Sequence, residues 1–327
     1  MKTLSRLFTL SCFLKGFAHR GIPSSPEQRS APSHSLMALS IALASLPAAA
    51  QLTPGQNAGL NLAIDTNYAF VDLGATTLGW NSGPIAGNVL LGQGVKANLS
   101  GGNNGGLTNG GVVNFDSTAT ISGSLQNPIT EVPVSTSFTA TALADAQNVS
   151  SYASSLSPTQ TFSTINNTTT ITGDGGLNVI DVANIQNAKL TLSGNANDYF
   201  IFNVTGGIQT NQAMTLSGGV LASHVLFNLT GTGTVFQTSG GDLSYGTYLA
   251  TNGGQFQFSN LNLDGALINT AGNVQFVSGA KIPTFAPFTV PAVPEPTTLA
   301  LFGAGLLGLG ARVTRWRKGG SSGRLEG

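Results

Sequence analysis

The sequence contains few charged residues, and the region between residues 51 and 290 contains no arginine. Only 8% of the 327 residues are charged, and in that region three lysines stand against ten carboxylates, a formal net charge of −7. The remaining basic residues lie in the two ends of the chain. Because nucleic-acid binding requires clustered Lys and Arg side chains, this distribution argues against nucleic acid as a partner.

Cysteine and histidine are scarce as well. The single cysteine is Cys12, and His224 is the only histidine between residues 51 and 290. That region therefore lacks the residues for a disulfide framework or a thiolate metal site, and it has no cysteine or second histidine to pair with His224. Serine is plentiful, but no serine, histidine and acid occur in a recognisable catalytic order. His224 precedes the apolar segment Val225-Leu226-Phe227, which favours a structural role. The sequence predicts no enzyme, cofactor or metal site, and a polysaccharide lyase is disfavoured because Arg and Lys are too few to supply its base.

Long hydrophobic runs are missing too. Two apolar stretches, residues 36–46 and 299–311, are shorter than the roughly 20 residues of a membrane-spanning helix. The first stretch follows basic residues and precedes small ones, as in a secretory signal peptide. We expect residues 1–50 to be a leader cleaved after Ala50, with Ala48 as the second small residue of the cleavage site. Either Met1 or Met37 could be the start.

The C-terminal segment has three parts in order: Val293-Pro294-Glu295-Pro296, the apolar residues 299–311, and a basic cluster of Arg312, Arg315, Arg317 and Lys318. It resembles the PEP-CTERM sorting signal of exported Gram-negative proteins, also called the ice-binding protein C-terminal domain. The resemblance implies a sorting and membrane segment over residues 293–318, with a single short transmembrane helix over residues 299–311. It also implies a transient hold in the inner membrane and an exosortase-type processing enzyme as partner. The positive-inside bias places the basic cluster in the cytoplasm, and residues 319–327 are expected to be a disordered tail.

Glycine is abundant, with 43 residues, which argues against a helical bundle. Short β-prone segments separated by glycine predict strands; they are Tyr68-Ala69-Phe70-Val71, Val89-Leu90-Leu91, Val112-Val113-Asn114-Phe115 and Thr118-Ala119-Thr120-Ile121. One segment has apolar or small residues at steps of three and four and predicts a helix over residues 138–157. We expect Leu143, Val149 and Leu156 to face a sheet.

The region after this helix repeats itself. Thr191-Leu192-Ser193-Gly194 recurs as Thr215-Leu216-Ser217-Gly218, and the segment 200–206 recurs as 225–231. Repeats of 24 and 25 residues built from short strands and glycine turns are typical of a solenoid. The alternation of Phe200, Phe202 and Val204 predicts that these side chains point inward, as would Phe256 and Phe258. An all-β solenoid with one flanking helix is our fold prediction, and a β-sandwich is the alternative.

These repeats resemble the choice-of-anchor A family of exported bacterial surface proteins and, more distantly, ice-binding-like β-solenoids. The segments that carry the resemblance are Gly176-Leu177-Asn178-Val179, residues 190–194, 202–206 and 225–229, and Leu263-Asp264-Gly265-Ala266-Leu267-Ile268. The resemblance implies a β-solenoid over residues 51–290. It carries over no catalytic residues.

Two sets of threonines could form rows on the surface of such a solenoid. Thr168, Thr170 and Thr172 would share one strand face, as would Thr230, Thr232 and Thr234. A flat, weakly charged face of threonines could bind ice or a polysaccharide, although threonine also favours strands without any ligand. The sequence therefore predicts an exported, non-enzymatic structural or adhesive protein of the cell surface or exopolysaccharide matrix. The alternative is an ice- or glycan-binding module.

Overall fold

The computed structural model describes residues 52–290, apart from residues 53, 65–66, 75, 82, 101–105, 124–128, 241–242 and 278. Before the main helix lie a short helix α1 (Pro54–Gly59) and the strands β1 (Tyr68–Asp72), β2 (Thr77–Trp80), β3 (Pro84–Ala86), β4 (Asn88–Leu91), β5 (Lys96–Leu99), β6 (Gly106–Thr108), β7 (Val113–Asp116), β8 (Thr120–Gly123) and β9 (Glu131–Val134).

The main helix α2 (Thr136–Ser155) is followed by the strands β10 (Gln160–Ile165), β11 (Thr169–Thr172), β12 (Leu177–Gln186), β13 (Leu190–Ser193), β14 (Tyr199–Thr210), β15 (Thr215–Ser217), β16 (Val225–Leu229), β17 (Gly233–Thr238), β18 (Leu243–Ala250), β19 (Gly254–Ser259), β20 (Asn262–Asn269), β21 (Val274–Val277) and β22 (Lys281–Phe285). A 3-10 turn (Ala222–His224) precedes β16.

Every strand pairing among the described residues is parallel. On one side of the stack, β10, β12, β14, β16, β18 and β20 pair in chain order. Strand β20 then pairs with β1, and β4, β7 and β9 continue from there. The first strands of the chain therefore stack on the last coil of the repeat region, and the coil order differs from the sequence order.

Helix α2 connects the two ends of this stack. The chain enters it from β9 at one end and leaves it for β10 at the other. Twenty helical residues span about 30 Å, while nine strand-to-strand steps of about 4.8 Å amount to about 43 Å, so the extended residues before β10 cover the rest. The Ser135 side chain caps the helix by accepting a 3.2 Å hydrogen bond from the Phe138 amide, and Pro158 prevents its continuation.

The helix packs against the sheet through small side chains. Ala142, Ala146, Val149 and Ala153 are buried on the strands beneath, together with outward-facing apolar residues such as Ile201. Leu143 and Leu156, which we expected to face the sheet, are only half-buried and pack at the edges of this contact. Because the side chains on the contact face are mostly alanines, the helix lies close to the sheet. The centre of this contact therefore has no room for the larger side chains of Leu143 and Leu156.

A buried polar network fixes the helix on the sheet. The Asn228 side-chain amide donates to the Ser150 carbonyl (3.0 Å), the Ser154 hydroxyl (2.9 Å) and the Asn203 side-chain carbonyl (3.0 Å), and its own carbonyl accepts from the Ser150 hydroxyl (2.6 Å). Asn203 in turn donates to the Ala153 carbonyl (3.0 Å). Since buried amides must be paired to avoid a desolvation cost, this network sets the position of the helix along the stack.

The interior of the stack is filled by aromatic rows. Phe202 pairs in register with Phe227, and Phe227 pairs with Tyr248. Their rings stack at centroid distances of 4.6 Å and 4.5 Å. Phe200, Phe202, Val204, Phe256 and Phe258 are all buried in this core, as their alternation predicts. In-register parallel pairing places equivalent side chains directly above one another, so a 25-residue sequence repeat becomes a continuous stack.

The structure confirms a mostly β chain with one main helix, and its parallel sheet is consistent with a β-solenoid. A β-sandwich would need antiparallel pairing. The helix begins two residues earlier than predicted, and β8 is shifted from 118–121 to Thr120–Gly123 because residues 117–118 form a turn held by hydrogen bonds to Asp116. None of the helices in the described part of the chain has the length and hydrophobicity that crossing a membrane requires. The predicted transmembrane segment lies outside the described residues.

Candidate functional site

Short hydroxyl side chains form two rows across β11, β13 and β15. Thr170, Thr191 and Thr215 are register partners, and so are Thr172, Ser193 and Ser217. Ile171 and Leu192, which lie between the two rows, are buried in the core, while the hydroxyl residues are exposed or half-exposed. The two rows are about 6.6 Å apart along the strands, and neighbours within a row are about 4.8 Å apart. We call these six residues the hydroxyl rows.

The hydroxyl rows contain two of the three threonines predicted for this region. Thr170 and Thr172 lie exposed on β11, whereas Thr168 precedes the strand. The sequence repeat alone does not reveal a row of threonines that runs across several strands. The spacing of threonines within one strand does not reveal it either. Its other members, Thr191 and Thr215, come from the repeated Thr-Leu-Ser-Gly segments, and the in-register pairing brings them beside Thr170.

The second predicted set does not share a single strand. Thr230 and Thr232 lie at the corner between β16 and β17, and only Thr234 lies within β17. The Thr230 hydroxyl contacts the Val204 carbonyl at 3.3 Å. The corner exists because Gly233 has a φ of 79° and because a Cβ atom at Gly231 would lie 2.1 Å from the Gly206 carbonyl oxygen. Thr232 and Thr234 are exposed.

Glutamine forms a longer row on another side of the stack. The register pairs Gln186 with Gln209, Gln209 with Gln237, Gln237 with Gln257 and Gln257 with Gln275. All five side chains are exposed or half-exposed, and the row is about 19 Å long at the usual strand spacing. The same register continues through Gly79, Asn98 and Ser122. We call the five glutamines the amide row.

A groove of about 310 Å³ opens beside one end of the amide row. Its lining contains no charged side chain and consists of Asn184, Gln186, Gly206, Gly207, Ile208, Gln209, Thr232, Thr234 and Gln237. Two glycines in the lining, Gly206 and Gly207, have no room for a side chain. A Cβ atom at Gly206 would lie 2.4 Å from Asn184 Oδ1, and a Cβ atom at Gly207 would lie 2.9 Å from the Thr234 carbonyl oxygen. The Gly207 amide donates to Asn184 Oδ1 at 3.2 Å.

The buried titratable groups have structural partners. Burial raises the pKa of Asp72 to about 7. Hydrogen bonds from Thr76 (2.7 Å) and Asn269 (3.1 Å) act in the opposite direction and lower this pKa.

Asp198 accepts hydrogen bonds from the Gly175 and Asn195 amides at 2.7 Å each and thereby links two coils. His224 stacks on Tyr199 at 3.9 Å, and burial lowers its pKa. Within the described ranges, no group of three or more His, Cys, Asp or Glu residues is arranged to hold a metal ion.

Three predicted sites lie outside the described residues. They are the cleavage site at Ala48 and Ala50, the motif Val293 to Pro296, and the basic cluster Arg312 to Lys318.

Comparison with protein families matches the two parts of the chain separately. Residues 58–280, more than half of the chain, match the ice-binding-like adhesive domain family. The chain belongs to this family. Residues 292–318 match the PEP-CTERM protein-sorting motif, which confirms the sorting signal. Such a motif indicates an exported protein, and ice-binding and adhesive domains are non-enzymatic kinds of protein. The resemblance to choice-of-anchor A proteins stays a prediction.

Solved structures of ice-binding proteins have a similar chain path. One from an Arctic yeast has 16% identity and a TM-score of 0.47, covering 73% of this chain and 97% of its own. One from the Antarctic ascomycete Antarctomyces psychrotrophicus has 15% identity and a TM-score of 0.44, covering 72% and 100%. One from an Antarctic Flavobacteriaceae bacterium has 20% identity and a TM-score of 0.47, covering 72% and 49%. None of the curated proteins matches the chain.

Sequence reasoning missed the amide row. Its signal was present in the echo of Gln255-Phe256-Gln257-Phe258 by Gln275-Phe276, where Gln257 and Gln275 are the actual register partners. The other members also follow a large apolar residue, as in Ile185-Gln186, Ile208-Gln209 and Phe236-Gln237. Their spacing along the chain is uneven, so the strand register is needed to recognise them as one row.

Proposed function

We propose that this protein is an exported, non-enzymatic adhesive or structural protein of the cell surface or exopolysaccharide matrix. The observation that carries the proposal is the presence, in one chain, of an ice-binding-like adhesive domain over residues 58–280 and a PEP-CTERM motif over residues 292–318. The exterior of the stack supports it, because rows of uncharged hydroxyls and amides suit contact with a surface better than acid–base chemistry does.

The route of export follows from the two ends of the chain. A leader over residues 1–50 would be removed after Ala50, and the basic cluster would stop translocation with Pro294-Glu295-Pro296 at the outer face of the inner membrane. An exosortase-type enzyme would then cut near this motif. The membrane association is transient, since an apolar run of 13 residues is too short for a stable anchor.

Intact-mass measurement and fractionation of the native host test this route. The surface or matrix fraction should contain a species that begins near Gln51 and ends near Pro296. A mature species that keeps Arg315 and Lys318 and stays in the inner membrane would show that the segment is a permanent anchor. Deletion of the gene should also reduce the matrix material that the cells retain.

Ice binding is the second candidate, and the hydroxyl rows favour it. Thr170, Thr191 and Thr215 are short, β-branched and in register, so they form a rigid surface with little rotamer freedom to lose. The unmodified protein should then shape ice crystals and show thermal hysteresis. Unshaped growth of ice at saturating protein would remove this candidate and leave the adhesive function standing.

A further inference from the structure

We propose that the groove formed by β12, β14 and β17, together with the amide row that continues from it, binds a neutral polysaccharide chain. The inference rests on the proposed function, since a protein of the cell surface or matrix is exposed to such polymers. The residues involved are separate from the hydroxyl rows.

The side chains in the groove match the chemistry of sugar hydroxyls. Gln186, Gln209 and Gln237 each offer two amide donors and one carbonyl acceptor, and Thr232 and Thr234 each offer a hydroxyl that can donate and accept. These three glutamine amides have no hydrogen-bond partner among the residues that the structure describes. A sugar carries donors and acceptors at every hydroxyl and can therefore pair with all of these groups at once.

The absence of charge in the lining selects for a neutral ligand. An anionic or cationic polymer would have to lose part of its hydration in the groove without an opposite charge to compensate for it. A neutral glycan exchanges hydrogen bonds with water for hydrogen bonds with amides and hydroxyls at a small net change for each group. The groove is therefore suited to uncharged, hydroxyl-rich polymers.

The shape of the site favours a polymer over a small molecule. The groove opens onto the amide row, so a chain seated between Gln186 and Gln237 can continue over Gln257 and Gln275. Amides recur about every 4.8 Å, which is close to the length of one sugar residue in an extended glycan. Single contacts of this kind are weak, but contacts repeated along one chain reinforce one another.

The amide row is poorly suited to ice. Glutamine has three flexible side-chain torsions and loses more rotamer freedom on binding than threonine does. The groove is also concave, whereas an ice face is flat and cannot enter it. A second copy of the chain is the alternative occupant of the groove, and a dimer that the glutamine substitutions dissociate would reveal it.

Affinity electrophoresis of the purified full-length protein tests the site. Hydroxyethyl cellulose and galactomannan serve as neutral probes, and alginate serves as the anionic comparison. We expect at least one neutral probe, but not alginate, to retard the parent protein. The double substitution Gln209→Ala, Gln237→Ala should weaken binding about tenfold, because two hydrogen-bonding side chains are lost. Thr232→Trp should block the groove, since Thr232 is exposed at its edge.

A matched double substitution on the hydroxyl rows, Thr170→Ala with Thr215→Ala, should leave retardation unchanged. Circular dichroism confirms that each variant is folded. The inference is overturned if no neutral probe retards the parent, or if the glutamine variant and the threonine variant behave alike. It is also overturned if sedimentation shows a dimer that the glutamine substitutions dissociate. None of these results affects the fractionation test, so a failure of the groove is distinguishable from a failure of the proposed function.

Discussion

The side-chain rows inside and outside the stack are aligned by the same in-register strand pairing, but the inward rows are aromatic and the outward rows are polar. Phe202, Phe227 and Tyr248 are register partners inside, and Thr170, Thr191 and Thr215 are register partners outside. The inward rings are stacked and fully excluded from water, while the outward hydroxyls remain accessible. One pairing rule therefore produces both the core and the candidate binding surfaces. The free energy of folding should depend on the inward rows and binding on the outward rows.

The largest effect should come from an inward aromatic residue. Phe227→Ala removes a ring that stacks on Phe202 at one side and on Tyr248 at the other, and it leaves a cavity between two coils. We expect a loss of about 3–5 kcal/mol in the free energy of unfolding, and a similar loss for Phe202→Ala. Denaturant unfolding measures it. A midpoint equal to that of the parent for either variant would contradict the inward assignment.

The sequence predicted the inward rows better than the order of the coils. Phe202 is predicted to point inward from its alternation with Phe200 and Val204, and Phe227 occupies the equivalent position in the recurring segment 225–231, which is adjacent in both sequence and space. The stacking of β1 on β20 could not be predicted, since Phe70 and Leu267 are register partners almost 200 residues apart with no shared repeat. The amide row was missed for a different reason: its members follow one another at uneven intervals of 18 to 28 residues, so they become recognisable as neighbours only through the strand register.

The next effect concerns the network that holds helix α2 on the stack. Asn228→Ala removes every hydrogen bond of that side chain, and the buried Asn203 side-chain carbonyl loses its Asn228 donor. The Ser150 hydroxyl keeps only its contact with the Thr251 hydroxyl. We expect a loss of about 2–3 kcal/mol and faster hydrogen exchange in the second half of the helix. The matched control is Asn252→Ala, which removes an exposed amide that donates to the Thr230 carbonyl. Equal losses for the two variants would show that the buried network does not hold the helix.

A smaller, pH-dependent effect should come from Asp72. Because burial raises the pKa of Asp72 to about 7, the folded chain binds a proton more tightly than the unfolded chain does. This group therefore stabilises the fold below about pH 4, and the contribution is lost as the pH rises through 7. The free energies of unfolding of the parent and of Asp72→Asn, measured from pH 6 to 8, should differ by an amount that changes by about 1–2 kcal/mol. A constant difference between the two across this range would contradict the raised pKa.

The smallest effect should come from the outward rows, and it tests the comparison most directly. Thr170→Lys and Thr215→Lys both change exposed side chains, so each should alter the free energy of unfolding by less than about 0.5 kcal/mol. Leu192→Ala, at a buried position on the strand between them, should cost about 2–5 kcal/mol. If the parent binds ice, the two lysines together should abolish thermal hysteresis while the melting temperature stays nearly unchanged, because they add bulk and charge to a flat surface. A large drop in melting temperature for the lysine variants would mean that these rows are part of the packing of the stack, and the division of roles between inward and outward rows would then be wrong.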